Sequence, residues 1–121
     1  MSEIKSYRDL IVWQRAMDLA VAVYAQSQAW PKEELYGLTS QVRRSTTSVA
    51  ANIAEGYGRE NLGSYVQFLR IAQGSLKETE THLMIAGRVG ILSSQALEPL
   101  LLDCEKVGKL LRGLIRKLST S

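Results

Sequence analysis

The sequence has little of the chemistry from which covalent cross-links and metal centres are built. Among its 121 residues there is one cysteine, Cys104, and one histidine, His82. One cysteine cannot form an intramolecular disulfide, and one Cys with one His gives too few ligands for a zinc site. Cys104 falls in an apolar helical phase between Leu100 and Leu111, where a free thiol behaves as a small hydrophobic group. We therefore expect a buried structural thiol, with no metal and no cofactor.

Long apolar runs are also missing. No stretch approaches the roughly 18 apolar residues that a membrane-spanning helix needs. The polar start, Met1 to Arg8, and the charges at Arg15 and Asp18 do not resemble a secretory signal. Hydrophobic residues make up 45% and charged residues 22% of the chain, as in globular proteins rather than disordered or fibrous ones. We expect a cytoplasmic protein with a single domain over residues 1–121 and an ordered core at about 7–118.

Catalytic motifs are absent as well. The Gly56–Gly58 segment follows a helical pattern and lacks the third glycine and the Lys-Ser pair of a phosphate loop, so it predicts a turn. His82 has Glu78 one helical turn before it, but no serine or cysteine motif accompanies it, which indicates a hydrated or paired surface histidine. The repeated Glu-x-x-His pattern of metal-carboxylate bundles does not occur. The sequence predicts that the chain is not an enzyme.

What the sequence does have is four long segments with the period of an α-helix. The connections between them are short, which places consecutive helices antiparallel. The prediction is therefore an all-α fold, an antiparallel up-down-up-down four-helix bundle. The positions that define the segments are Leu10, Trp13, Met17, Ala20 and Tyr24; Leu38, Val42, Ser45, Val49, Ala50 and Ile53; Tyr65, Leu69, Ala72, Leu76, Thr79, Leu83 and Ala86; and Leu97, Leu100, Cys104, Val107, Leu111, Leu114 and Leu118.

Turn residues bound these segments. The first should stop before Trp30 and Pro31, since the residue that precedes a proline is steered away from helical dihedral angles. Gly56 and Gly58 should end the second, because glycine readily adopts the left-handed conformation of a helix terminus. Pro99 leaves the start of the fourth segment open, because proline is comfortable only in a first turn.

Polar side chains recur every three or four residues along the second segment and therefore line one side of a helix. They suit either a site for a partner or phosphate, or a hydrogen-bonded network between helices or subunits with Glu55 paired to an arginine. We favour the network, because fixing register is a common role of buried polar groups. Removal of Glu55 should then cost about 3 to 5 kcal/mol. The candidate network consists of Gln41, Arg44, Asn52, Glu55, Arg59 and Arg70.

Basic residues are concentrated in the last segment, in a chain of net charge +3. One interpretation is a solvated face whose charge complements the dipole of its helix. The other is a surface that contacts the phosphates of RNA or DNA, with the symmetry of an oligomer multiplying a modest patch of charge. The candidate nucleic-acid contacts are Lys106, Lys109, Arg112, Arg116 and Lys117.

Two features exceed what a closed bundle of one chain needs. Apolar residues such as Ile11, Leu101, Leu102 and Leu110 lie outside the core stripes of the first and fourth segments. Extra apolar surface on a small domain favours an interface between copies. In the second segment, small side chains over Ser45–Ala51 occupy every face, which predicts a helix surrounded by close neighbours.

One set of motifs extends over most of the chain. It comprises Asp9–Leu10 with Trp13, Tyr36–Arg44, Ser48, Asn52–Arg59 and Phe68–Leu76. Together these motifs resemble the bacterial four-helix-bundle proteins encoded by intervening sequences in large-subunit ribosomal RNA genes, over roughly residues 7 to 118. The resemblance implies an antiparallel four-helix protomer and a barrel-like homopentamer. It implies little about activity, because no firm biochemical activity is established for these proteins.

The resemblance also extends to the accessory variability protein of diversity-generating retroelements. That protein is a similar pentamer, which binds nucleic acid and a reverse transcriptase through a basic surface. The present chain departs from the family pattern at Ser45–Thr47, where alanine and valine are typical, and at Thr79, where leucine is typical. Both departures are tolerable for packing.

Two functional hypotheses remain open from the sequence. The first is a non-catalytic homo-oligomeric scaffold, pentameric by resemblance, that contacts RNA or DNA backbone through basic residues. The second is a structural or protein-binding oligomer in which the arginines form ion pairs between subunits. A continuous exposed basic stripe would support the first, whereas burial of Arg44, Arg59 and Arg70 against carboxylates would support the second.

Overall fold

The computed structural model describes residues 3–120, which form four helices and, within that range, no strand. The helices are α1 (Ile11–Ser27), α2 (Ser40–Tyr57), α3 (Leu62–Arg88) and α4 (Ser94–Ser119). Helix α2 packs against α1 and α3, and α4 packs against α3 and α1, so the four helices close around one core. The predicted all-α four-helix bundle is confirmed.

Pairs of residues on α2 and α3 give the direction in which the two helices run. Gly56, near the end of α2, lies against Phe68 near the start of α3. Ser45, near the start of α2, accepts a hydrogen bond from Thr79 in the second half of α3. The two helices are therefore antiparallel. The same holds for α3 and α4, since Gly87 at the end of α3 lies against Leu97 in the first turns of α4.

The connection between α1 and α2 is itself helical. A 3-10 turn over Lys32–Glu34 leads into a wider turn over Leu35–Thr39, in which Gly37 leaves the helical region with φ −113° and ψ −112°. The Glu34 carboxylate accepts a hydrogen bond from the backbone N–H of Leu38 at 3.2 Å. This bond caps the turn and leads the chain directly into α2.

The core is aliphatic, and Cys104 is part of it. Its side chain is 1% exposed, and burial raises the pKa of the thiol to about 12, helped by the nearby charges of Glu80 and Asp103. The thiol is therefore neutral and structural, as predicted. The largest fully buried apolar side chains are Leu19, Val23, Val42, Val49, Ile53, Leu69, Leu76, Leu83, Val107 and Leu111.

Helix α2 ends at its C-cap Gly58, as predicted, but the predicted left-handed conformation and the end at Gly56 are wrong. Gly58 has φ −78°, and Gly56 lies inside the helix. A Cβ atom at Gly56 would be only 2.8 Å from Phe68 Cβ, so this glycine allows α2 and α3 to approach closely. Within residues 3–120 the glycine with positive φ is Gly90, at 82°, which ends α3.

The start of α4 and the surroundings of α2 are also defined. Ser93 caps α4 by accepting a hydrogen bond from the N–H of Ala96 at 3.2 Å, and Pro99 is accommodated inside the helix.

Helix α2 is not surrounded within one chain, because Thr47 and Ala51 are exposed. No helix in the part of the chain that the structure describes is long and apolar enough to cross a membrane.

Candidate functional site

The second half of α4 presents a basic face to solvent. The buried stripe of this part of the helix, Val107, Leu111 and Ile115, faces the core and leaves the other positions outside. From Lys106 to Ser119 the chain carries five basic residues and no acidic one. All five predicted contacts are exposed, namely Lys106, Lys109, Arg112, Arg116 and Lys117.

Four cations of this face, Lys106, Lys109, Arg112 and Arg116, are at most weakly paired. Lys109 lies 3.5 Å from Glu105, with both side chains mostly in solvent, so the pair contributes little to stability. Lys106, Arg112 and Arg116 have no hydrogen-bond or ion-pair partner among the described residues. A cation without a partner keeps its full charge for an incoming anion, and the face therefore suits an anionic partner.

A groove of about 370 Å³ separates this face from α3. Arg70 of α3 and Arg112 of α4 both line it, and neither has a partner among residues 3–120. Lys77 of α3 also lines it and is paired with Glu80 at 3.0 Å. Arg70, predicted as a member of the α2 network, is therefore placed with the basic residues of α4 instead.

The residues of the predicted α2 network do not form one network, because they pair with different neighbours. Arg44 donates to the Glu78 carboxylate of α3 and, at 3.0 Å, to Gln41 Oε1. The hydrogen bond from Arg44 lowers the pKa of Glu78. Both charged side chains remain about half exposed. His82 lies 3.6 Å from Glu78 but is only 17% exposed, so it is a mostly buried histidine rather than the surface histidine that the sequence predicts.

The expectation that Glu55 is buried is wrong for the single chain. Glu55 accepts a hydrogen bond from Arg59 at 2.7 Å, and the two side chains are 55% and 45% exposed. Because Arg59 lies one turn further along the chain, the pair forms locally and both charges stay in solvent without a desolvation cost. Such a pair contributes about 0 to 1 kcal/mol, not the 3 to 5 kcal/mol of a buried one.

Besides the Arg44–Glu78 pair, a network of neutral groups joins α2 to α3. Thr79 donates to Ser45 Oγ at 2.8 Å, and Ser48 Oγ lies 2.8 Å from Ser75 Oγ. The Asn52 amide donates to the carbonyl and hydroxyl oxygens of Ser48 at 2.8 and 2.9 Å. A polar network between helices is thus present, and Asn52 belongs to it. Hydroxyls at apolar-phase positions such as Thr79 were the sequence signal for it.

A second exposed feature is apolar. The segment before α1, the start of α1 and the end of α4 line a groove of about 650 Å³ that includes Ile4, Ile11, Leu110 and Leu114, with Lys117 of the basic face at its border. Ile11 is 61% exposed and Leu110 is 36% exposed. The extra apolar surface predicted for the first and fourth helices therefore lies open in the single chain. Such a surface is typical of a contact with another protein molecule.

Comparisons with known proteins agree with this fold. A family model described as 23S rRNA-intervening sequence protein matches residues 8–113. A crystal structure of a protein with unknown function, from the S23 ribosomal protein family of Bacteroides thetaiotaomicron VPI-5482, is similar with a TM-score of 0.79. The two chains are 25% identical, and the match covers 87% of this chain and 98% of the other. None of the curated proteins matches the chain.

Proposed function

Since the chain belongs to the family of 23S rRNA-intervening sequence proteins, we propose a function as a non-catalytic scaffold that contacts RNA or DNA backbone. The scaffold is a homo-oligomer, with five subunits favoured by the resemblance noted in the sequence. The observation that carries the proposal is the basic face of α4, where five exposed cations lie along a stretch without a single carboxylate. Phosphate backbones are bound mainly through such cations.

The placement of the other arginines also favours this proposal over an oligomer with no nucleic-acid role. Arg44 and Arg59 pair with carboxylates, but the pairs lie within one chain and in solvent. Arg70 lines the same groove as Arg112, and no acidic residue lines that groove. The arginines are therefore not committed to buried ion pairs, and the positive charge stays at the surface.

The apolar groove between α1 and α4 supports the proposal of assembly. An open groove that contains Ile11 and Leu110 is stabilised when another surface covers it, and a second copy of the chain is always available. Rotational symmetry would then repeat the basic face around the assembly. Repetition raises the local potential and increases the number of phosphates that one nucleic acid can contact.

The test is fluorescence anisotropy with a labelled single-stranded RNA over a series of salt concentrations. Each phosphate contact adds about 0.7 to the slope of log affinity against log salt for a single strand. Replacing Lys109, Arg112 and Arg116 with Gln should therefore lower the slope by about 2. Unrelated RNA sequences should be affected equally, because backbone contacts carry no sequence information.

A matched control removes the same charge elsewhere. Arg15, Lys32 and Arg88 are exposed and lie outside the face, so their replacement with Gln should leave the slope nearly unchanged. Light scattering after size exclusion should give the same oligomer for wild type and both variants. A concentration-independent monomer would contradict the scaffold. Absence of RNA and DNA binding at low salt would replace the proposal with a structural or protein-binding oligomer.

A further inference from the structure

We propose that the groove between α3 and α4 holds a phosphate group of the bound nucleic-acid backbone, with Arg70 and Arg112 as the binding residues. The inference rests on the proposed function and extends it. It adds α3 to an interface otherwise made by α4 alone, and it defines one place where the backbone is held rather than attracted diffusely. The groove is lined by Arg70, Gln73, Gly74, Leu76, Lys77, Gly108 and Arg112.

Two glycines open the groove. A Cβ atom built on Gly74 would meet nothing within 4 Å, so the space above this turn of α3 is empty. On the facing helix, a Cβ atom at Gly108 would lie 3.3 Å from Arg112 Nη1 and 3.5 Å from Leu76 Cδ2. The guanidinium of Arg112 thus lies back over Gly108, along the wall of the groove. Side chains at either glycine would narrow the space that the two arginines border.

The charged residues that line the groove are all basic. No carboxylate lines it, and from Leu62 to Lys77 α3 carries two basic residues and no acidic one. Lys77 is partly neutralised by Glu80, whereas Arg70 and Arg112 have no partner within residues 3–120. Two unpaired arginines that border one groove repel each other, and an anion between them removes that repulsion.

The donor chemistry favours phosphate. Guanidinium groups present several N–H donors in a fixed plane and bind phosphate oxygens in pairs. The Gln73 amide supplies a further neutral donor on the same side of α3. The groove is also open to solvent, so a phosphate within a chain can reach these donors.

The sharpest test fills the groove without changing its charge. In Gly74→Leu a side chain occupies the empty space, and single-stranded RNA should bind about tenfold more weakly at low salt. The slope of log affinity against log salt should fall by about 0.7 to 1.4, as expected for one or two lost phosphate contacts. Gly113→Leu is the matched control: a Cβ there also meets nothing within 4 Å, and Gly113 lies in α4 outside the groove lining. It should bind within about twofold of wild type.

A second pair of variants tests the charge. Arg70→Gln and Lys106→Gln remove one exposed positive charge each, and only Arg70 lines the groove. Arg70→Gln should lower the salt slope by about 0.7, and Lys106→Gln by clearly less. Circular dichroism should be the same for all four variants, because every changed position is at least partly exposed.

The outcomes separate the two proposals. If wild type binds RNA and Gly74→Leu binds equally well, the groove is not a phosphate site, while the basic face remains. Equal weakening by Gly74→Leu and Gly113→Leu would likewise assign binding to the whole face. If wild type binds no nucleic acid at low salt, the proposed function itself fails. Inorganic phosphate, at an ionic strength matched with chloride, should weaken RNA binding to wild type more than to Gly74→Leu, and equal weakening of both would overturn the groove as the phosphate site.

Discussion

The two long faces of α3 use polar residues in opposite ways. Toward α2, the buried polar side chains are neutral and hydrogen-bonded, as in the Thr79 to Ser45 contact, and the one charged residue described there, Glu78, is paired with Arg44. Toward α4, Arg70 is charged, exposed and without a partner in the described chain, and it faces Arg112 across a groove. The polar residues of the first face are used within the fold, because buried polar groups need partners. Those of the second face remain available to another molecule.

The contrast also accounts for two departures from the family pattern. The resemblance implies small apolar residues near Ser45 and leucine in place of Thr79, and in the structure these two residues contact each other. Their hydroxyls are fully buried, and Ser45 donates in turn to the carbonyl of Val42 at 3.2 Å. Each departure therefore supplies the hydrogen-bond partner of the other, which explains how two polar groups are tolerated in the core.

The largest effect is expected in the apolar core, to which α3 contributes Leu69. Leu69 is completely buried, and Leu69→Ala should lower the free energy of unfolding by about 2 to 5 kcal/mol through lost burial and a cavity. Ile71, two residues further on, is 43% exposed, and Ile71→Ala should change stability by less than about 0.5 kcal/mol. Urea unfolding at one fixed protein concentration measures both. A loss at Ile71 as large as that at Leu69 would mean that another subunit covers this side chain.

An intermediate effect is expected from the neutral network. Thr79→Val keeps the shape of the side chain but removes its hydroxyl, and it should cost about 1 to 3 kcal/mol because Ser45 loses a buried partner. Thr79 also lies 2.9 Å from the carbonyl oxygen of Ser75, four residues earlier. Thr81 makes the corresponding bond to the carbonyl of Lys77 at 2.8 Å, but Thr81 is exposed. Thr81→Val should therefore be nearly neutral. A double-mutant cycle with Ser45→Ala should give a coupling of about 0.5 to 1.5 kcal/mol. Additive losses would show that the contact contributes nothing.

The smallest effect is expected for the exposed ion pair at the end of α2. Glu55→Ala should cost no more than about 1 kcal/mol, because Glu55 and Arg59 are both about half exposed. Thermal unfolding at low and high salt measures it, and the difference should shrink as salt screens the pair. A loss of about 3 to 5 kcal/mol would indicate that Glu55 becomes buried when subunits assemble.

The fold could be predicted because each helix carries its own period. The seven-residue repeat from Tyr65 to Ala86 is local information, and it defines the buried side of α3 with no knowledge of its neighbours. The role of Gly56 could not be predicted from such local information. Its lack of a side chain matters because Phe68 lies opposite, and that contact depends on how α2 and α3 pair rather than on the residues around Gly56.

The same distinction between local sequence information and contacts between helices applies to the candidate site. The α4 cations are exposed because they lie opposite the buried Leu111 and Ile115, so their exposure could be predicted from the sequence alone. The pairing of Arg44 with Glu78 joins residues 34 positions apart, and the sequence offered several nearer acids and arginines. The groove beside Arg70 depends on two glycines of different helices lying near each other. Nothing in either helix alone distinguishes these glycines from the other glycines of the chain.

The buried thiol of Cys104 has a consequence for measuring motion. Thiol reagents attack the thiolate, and this group is both enclosed and neutral in the closed bundle. Labelling under native conditions must therefore wait for a transient separation of α4 from its neighbours. Because the chain has one cysteine, each molecule reports a single event at a single place. At low reagent concentration the labelling rate gives the equilibrium constant of that opening, and at high reagent concentration it gives the rate of opening. No probe has to be added to the protein.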